Sequence, residues 1–91
     1  MKTENLLPIK GVASMLGITR PTIYRRVKAG LLPPAVPMGP RANFWPQSEL
    51  IRIIEVHVAT RHNETAIRAT VEKIIAEREA LRLQILGGFN D

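Results

Sequence analysis

The sequence contains no cysteine, which removes disulfide staples and thiolate metal sites. It contains no apolar run near the ~18 residues that a membrane helix needs, so no membrane partner is expected. The opening MKTENLLPIKG lacks the apolar stretch of a signal peptide, and the expected location is the cytoplasm, at the nucleoid. Internal repeats and low-complexity segments are missing too. The most informative gap is in charge. Between Glu4 and Glu49 there is not one carboxylate.

What fills that gap is basic. Residues 1–45 hold Lys2, Lys10, Arg20, Arg25, Arg26, Lys28 and Arg41 against Glu4 alone, a balance of +6 within a net charge of +5. Residues 46–91 carry six basic and seven acidic side chains, a balance of −1. A one-signed field in so short a chain attracts a polyanion. At 91 residues the chain is one domain, or one domain with an appendage, around a thin core.

Apolar spacing and punctuation lay out the elements. Ile9, Val12, Ala13 and Leu16 fall at i, i+3, i+4, i+7, the stripe of a short amphipathic helix with a poor N-cap. Gly17 stops it. Thr19 is a good N-cap for a second helix, from about Arg20 to Ala29, with Pro21 in its first turn. Gly30 closes that helix, and Pro33 and Pro34 prevent its return. Two short helices joined by about three residues suggest a helix-turn-helix. Ile23 and Val27 then face inward; Pro21, Thr22, Arg25, Lys28 and Ala29 point outward, with Tyr24 and Arg26 on the flanks.

The proline-rich LLPPAVPMGPRANFWP permits only a two-stranded edge ribbon. Val36 and Met38 lie on one strand, Phe44 and Trp45 on its return, and Arg41 near the tip. A hairpin placed after a helix-turn-helix is a wing. A third helix begins near Pro46 with Ser48 and Glu49 in its first turn, presenting Leu50, Ile54 and Val58 on one face, with Ile53 and Val56 widening it or making another. In the last segment Ile67, Val71, Ile74, Leu81 and Ile85, with Arg78 in the gap, keep heptad spacing. Glu64/Arg68 and Lys73/Glu77 are i,i+4 pairs. Return packing on the third helix and dimerisation both satisfy such a seam. The expected class is mainly α: a winged helix-turn-helix with a small two-stranded β-hairpin wing over residues 1–58, and a C-terminal helical extension over 59–91 for packing or self-association.

No catalytic site, metal or cofactor is expected, and the chain is not read as an enzyme. His57 and His62 are five apart and share a helix face poorly, and no His/Asp/Glu cluster has metal spacing. Ser14 and Ser48 have no nearby base, and Gly87-Gly88 follows a helix instead of preceding one. A DNA interface is better supported. An α-helix fits a major groove, with its N-terminal residues at base edges. Here those are Arg20, Pro21, Thr22 and Arg25. Arg25 has the reach for guanine, and the Thr22 methyl suits thymine. Arg20, Arg26 and Lys28 suit phosphates. Tyr24 either donates to a phosphate or covers the edge of the core. Arg41 either enters a minor groove or is a solvated turn residue. Trp45, at the foot of the wing, belongs in the core.

The run LLPIKGVASMLGITRPTIYRRVKAGLLPPAVPMGPRANFWPQSEL, from Leu6 to about Ile54, resembles AlpA-type phage and prophage regulators and excisionases and the related MerR-like winged domains. The resemblance is carried by GITRPTIYRRVKAGLLPP, MGPRANFW and SEL in that order. It implies a DNA-binding regulator of a mobile element, a directionality factor that bends attachment-site DNA, or both. Double-stranded DNA is then the partner, with homo-oligomers on repeated sites and an integrase as further partners. It places DNA contacts on Arg20, Thr22, Tyr24, Arg25 and Arg41. Pro21 departs from the pattern, where a small polar residue is usual, and the tail after about Val58 lies beyond it. A different class of function is an adaptor whose C-terminal helix grips a protein while the basic half tethers it to DNA.

Overall fold

A computed structural model describes residues 4–88; Lys2 and Asp91, both part of the charge balance, lie outside that range. The elements run β1 (Leu6–Leu7), α1 (Ile9–Leu16), α2 (Arg20–Lys28), β2 (Val36–Pro37), β3 (Asn43–Pro46), α3 (Gln47–Thr60) and α4 (Glu64–Gly87). Four helices with a small antiparallel sheet make the winged helix-turn-helix that the spacing implied.

Both helices of the motif end as their glycines dictate. Gly17 adopts the left-handed conformation, φ 67°, and its N–H returns to the Ala13 carbonyl. At the end of α2 the Leu31 N–H donates to Arg26 O (2.8 Å) and the Gly30 N–H to Val27 O (3.1 Å). These are the two bonds of a Schellman cap, which needs a left-handed residue between them. Gly30 supplies it at φ 79°. The turn sets Val12 and Ile23 against each other, and both are fully buried.

The ribbon has one more strand than its sequence suggested. β3 pairs with β2 (Val36↔Phe44, Pro37↔Asn43) and, on its other edge, with β1 (Leu6↔Pro46, Leu7↔Trp45). The order is therefore β1-β3-β2, and the expected two-stranded wing is corrected to a three-stranded sheet. β1 closes an edge that would otherwise leave unpaired backbone groups. Trp45 is buried, and its indole N–H donates to Pro33 O at 2.8 Å, which locks the proline-rich loop to the sheet.

The N-terminal segment also caps α3. Glu4 Oε1 accepts from the Ser48 N–H (3.0 Å), Asn5 O accepts from the Gln47 N–H (2.8 Å), and the Asn5 side-chain amide donates to Gln47 Oε1 (2.8 Å). These bonds satisfy orphan donors at a helix start whose own N-cap, Pro46, has no cap to offer. Within α3, Leu50 and Ile53 face the core, so the buried face lies toward Ile53, while Ile54 is half-buried and Val58 is 77 % exposed. The core sits between α1, α2, β3 and α3, and α4 covers its α3 side.

α4 folds back along α3, so the first half of the heptad seam is intramolecular. Ile67, Val71 and Ile74 are buried, and Val71 and Ile74 join the cluster of Val12, Ile23, Leu32, Trp45, Leu50 and Ile53. Arg78, at the next seam position, clasps Glu49 with two bonds, Nε–Oε2 3.0 Å and Nη2–Oε1 2.5 Å. Glu64 and Arg68 pair as expected, at 3.2 Å. Glu77 does not bond to Lys73: it takes the Arg52 guanidinium across the helix pair (2.6 and 3.1 Å). A fork-to-fork arginine contact outcompetes a flexible lysine on the same helix. Asn63 caps α4, accepting from the Ala66 N–H at 3.0 Å.

Candidate nucleic-acid interface

The start of α2 is organised by a short chain of side-chain bonds. Thr19 is the N-cap, and its Oγ1 accepts from the Thr22 N–H at 3.4 Å. The Thr19 and Thr22 hydroxyls lie 2.9 Å apart, and Arg25 Nη2 donates to Thr22 Oγ1 at 3.0 Å. The chain folds the Arg25 side chain back over the first turn, where a helix side chain naturally leans. It holds one donor of the guanidinium and leaves the others open. The Thr22 hydroxyl is engaged on both sides, so its methyl is the freer contact. Pro21 sits exposed in the same turn, where its missing N–H breaks no helical bond.

Around the helix, Arg20, Pro21, Tyr24, Arg25 and Lys28 are exposed, while Thr22 and Arg26 are half-buried. Tyr24 keeps 60 % of its surface exposed and lines a groove of about 370 Å³ with Val27, Phe44 and Arg41. Arg41 is exposed in the turn joining β2 to β3, with φ 60°. The fold thus brings the tip arginine and the flank tyrosine to one groove between helix and wing. Arg26 takes the opposite flank, where it lines a second groove with Met15, Leu16, Ile53 and His57.

Electrostatics separate this face from the rest of the molecule. Among the described residues, no carboxylate pairs with Arg20, Arg25, Arg26, Lys28 or Arg41, whereas Arg52, Arg68, Arg78 and Arg82 each hold a glutamate. Glu4, the one acid of the first half, is turned to the start of α3. The charge gap of the sequence is therefore also a gap in space.

Two supporting features were not legible in the sequence. Arg68 of α4 donates from Nε to Ala29 O (3.0 Å), placing a cation at the negative end of α2. Arg78 also donates from Nη1 to Pro34 O (2.8 Å). The loop after α2 is thereby held from α4 at both ends. The i,i+4 spacing of Glu64 and Arg68 hinted at an ordered arginine but not at its second partner.

The two histidines do meet, contrary to their spacing along a helix. Arg61 and His62 are both left-handed, φ 54° and 61°, and this folds His62 back on His57. The rings stack with centroids 4.9 Å apart, and the two Nδ1 atoms lie 3.1 Å apart. Burial, then the neighbouring His62 and Arg26, hold the His57 pKa below its usual 6.5. No third ligating side chain joins them: among the described residues no group of three or more His, Asp or Glu is placed to hold a metal ion. No described helix is long and apolar enough to cross a membrane.

Comparison with curated proteins and with solved structures gave no match. The family model described as a helix-turn-helix domain matches residues 6–56, which take in β1, the two helices of the motif, the wing and most of α3. On that match and this geometry, the chain belongs to the helix-turn-helix domain family, whose fold points to DNA binding.

Proposed function

We propose that this protein is a sequence-specific DNA-binding factor of a prophage or other mobile element, acting as transcriptional regulator, excisionase or both. The observation that carries the proposal is the unpaired basic face on and beside α2, in a molecule whose other arginines largely have carboxylate partners. A duplex supplies the missing counter-charge. The first turn of α2 lies in the major groove, with Arg25 and the Thr22 methyl at base edges. Arg20, Arg26 and Lys28 neutralise phosphates, and Tyr24 donates to one beside the wing. Arg41 braces the adjacent minor groove, and a bent duplex belongs to the excisionase half of this reading. The mobile-element role rests on the likeness of residues 6–54 to AlpA-type regulators and excisionases. An integrase is the further partner that this likeness suggests.

Footprinting on DNA flanking the gene locates the site, and hypersensitive positions within it report bending. On that site Arg25→Ala costs ~1–3 kcal/mol, the value of a bidentate base contact. On random duplex it costs only one phosphate-scale contact. Equal losses on both would remove Arg25 as a reader. A protein adaptor is the competing function, and the exposed end of α4 favours it. It requires DNA binding that does not discriminate between sequences.

A further inference from the structure

Two side chains outside the DNA-facing group meet at the junction of α3 and α4. His57, in the last turn of α3, and His62, in the turn before α4, bring their Nδ1 atoms to 3.1 Å. The ring centroids stand farther apart, at 4.9 Å with 29° between the planes, so the rings turn their Nδ1 edges toward each other. Two imidazole nitrogens on one divalent transition metal, at bonds of ~2.0–2.1 Å and right-angle to tetrahedral geometry, stand about 2.8–3.4 Å apart. The backbone holds this spacing. The His62 N–H donates to His57 O at 3.2 Å, and the consecutive left-handed residues Arg61 and His62, φ 54° and 61°, turn the second ring back on the first. Neither is glycine, and backbone strain of this kind concentrates at ligand clamps.

We infer that His57 and His62 form a two-histidine site for a divalent transition metal of the zinc and nickel class, bound through both Nδ1 atoms. The groups around the pair suit that role. Glu64 Oε2 lies 3.8 Å from His62 Nε2, while its other oxygen takes Arg68 at 3.2 Å. A carboxylate behind a ligating imidazole keeps the proton on the far nitrogen and leaves the near lone pair for the metal. His57 is half-buried and His62 exposed, so water reaches the remaining coordination positions. Two protein ligands are fewer than the three or four of a catalytic or structural zinc centre, and the charge of Arg26, which shares a groove with His57, opposes a cation. Binding is therefore reversible and weaker than in such centres. Magnesium and calcium, which take oxygen ligands, do not compete. A bound ion clips the end of α3 to the turn that starts α4, and it does so whether or not the chain is on DNA.

Calorimetric titration of the full chain, without an affinity tag and stripped of metal by a chelator, tests the site with zinc chloride and nickel chloride near neutral pH. The expected result is one equivalent of either ion, no binding of magnesium, and a melting temperature raised by zinc. His62→Ala, at an exposed position, weakens zinc binding at least tenfold and abolishes the thermal shift, while the metal-free melting temperature is retained. His57 is partly packed, so nitrogen NMR of the wild-type imidazoles supplies a readout that needs no substitution: zinc shifts Nδ1 of both rings and leaves both Nε2 atoms protonated. The absence of saturable zinc binding, zinc binding that survives His62→Ala, or a shift confined to one ring would show the contact to be an N–H···N hydrogen bond only, and overturns the proposal.

Discussion

At the scale of single residues, Trp45 shows how a polar atom disciplines a small core. Its ring fills the space between sheet and helices, and its N–H satisfies Pro33 O, a carbonyl of a buried proline. Trp45→Phe keeps most of the apolar volume and orphans that carbonyl. The expected loss is about 1–3 kcal/mol in urea denaturation, from the unsatisfied acceptor and the vacated volume together. His57 gives a pH signature. Its pKa is held down in the folded state, chiefly by burial and then by His62 and Arg26. The unfolded chain therefore binds more protons near pH 6, and stability rises with pH in that window. It is fully present above the usual 6.5 and is lost as the pH falls below it. Denaturation at pH 7.5 and 5.5 checks this: His57→Gln is expected to flatten the difference. Trp45 was placed in the core from its position between wing and helix. The contact between His57 and His62 was hidden, because two left-handed non-glycine residues fold the chain back where helical spacing keeps the rings apart.

At the scale of elements, local signals located what local physics decides. Thr19 and Pro21 marked the start of α2, and Gly17 and Gly30 marked the two helix ends, because caps depend on residues within one turn. β1 was missed, since two residues before a proline carry no period. Its existence depends on the open edge of β3, some 40 positions away in the sequence. The heptad spacing announced α4 but not its partner: one apolar stripe serves a neighbouring helix or a second molecule equally well. The structure divides the stripe, with Ile67, Val71 and Ile74 turned inward and Leu81 and Ile85 left outside. A length series follows. Stopping the chain after Arg78 retains cooperative unfolding. Stopping it after His62 removes three buried aliphatics, each worth ~2–5 kcal/mol in a core. That approaches the whole ~5–15 kcal/mol of a typical domain. Circular dichroism melts of the two truncations are expected to show a transition in the first and none in the second.

At the scale of the whole molecule, charge is sorted by place. The basic surplus of the first half was legible as a run of sequence without acids. Its persistence in three dimensions was not, because Glu49, Glu64, Glu77 and Glu79 could each have folded onto α2. In the structure each pairs with an arginine of α3 or α4 instead: Glu49 with Arg78, Glu64 with Arg68, Glu77 with Arg52 and Glu79 with Arg82. The glutamates thereby neutralise the supporting helices and leave α2 and the wing tip to the field of a polyanion.

The salt dependence of duplex binding tests that account most directly. With Arg20, Arg26 and Lys28 on phosphates, the log–log slope of affinity against salt lies near −2.7, at ~0.9 for each phosphate neutralised. Lys28→Ala is expected to reduce the slope by about one such step, and Arg82→Ala, at a paired arginine, to leave it unchanged. A slope near zero, or equal effects of the two substitutions, would contradict it.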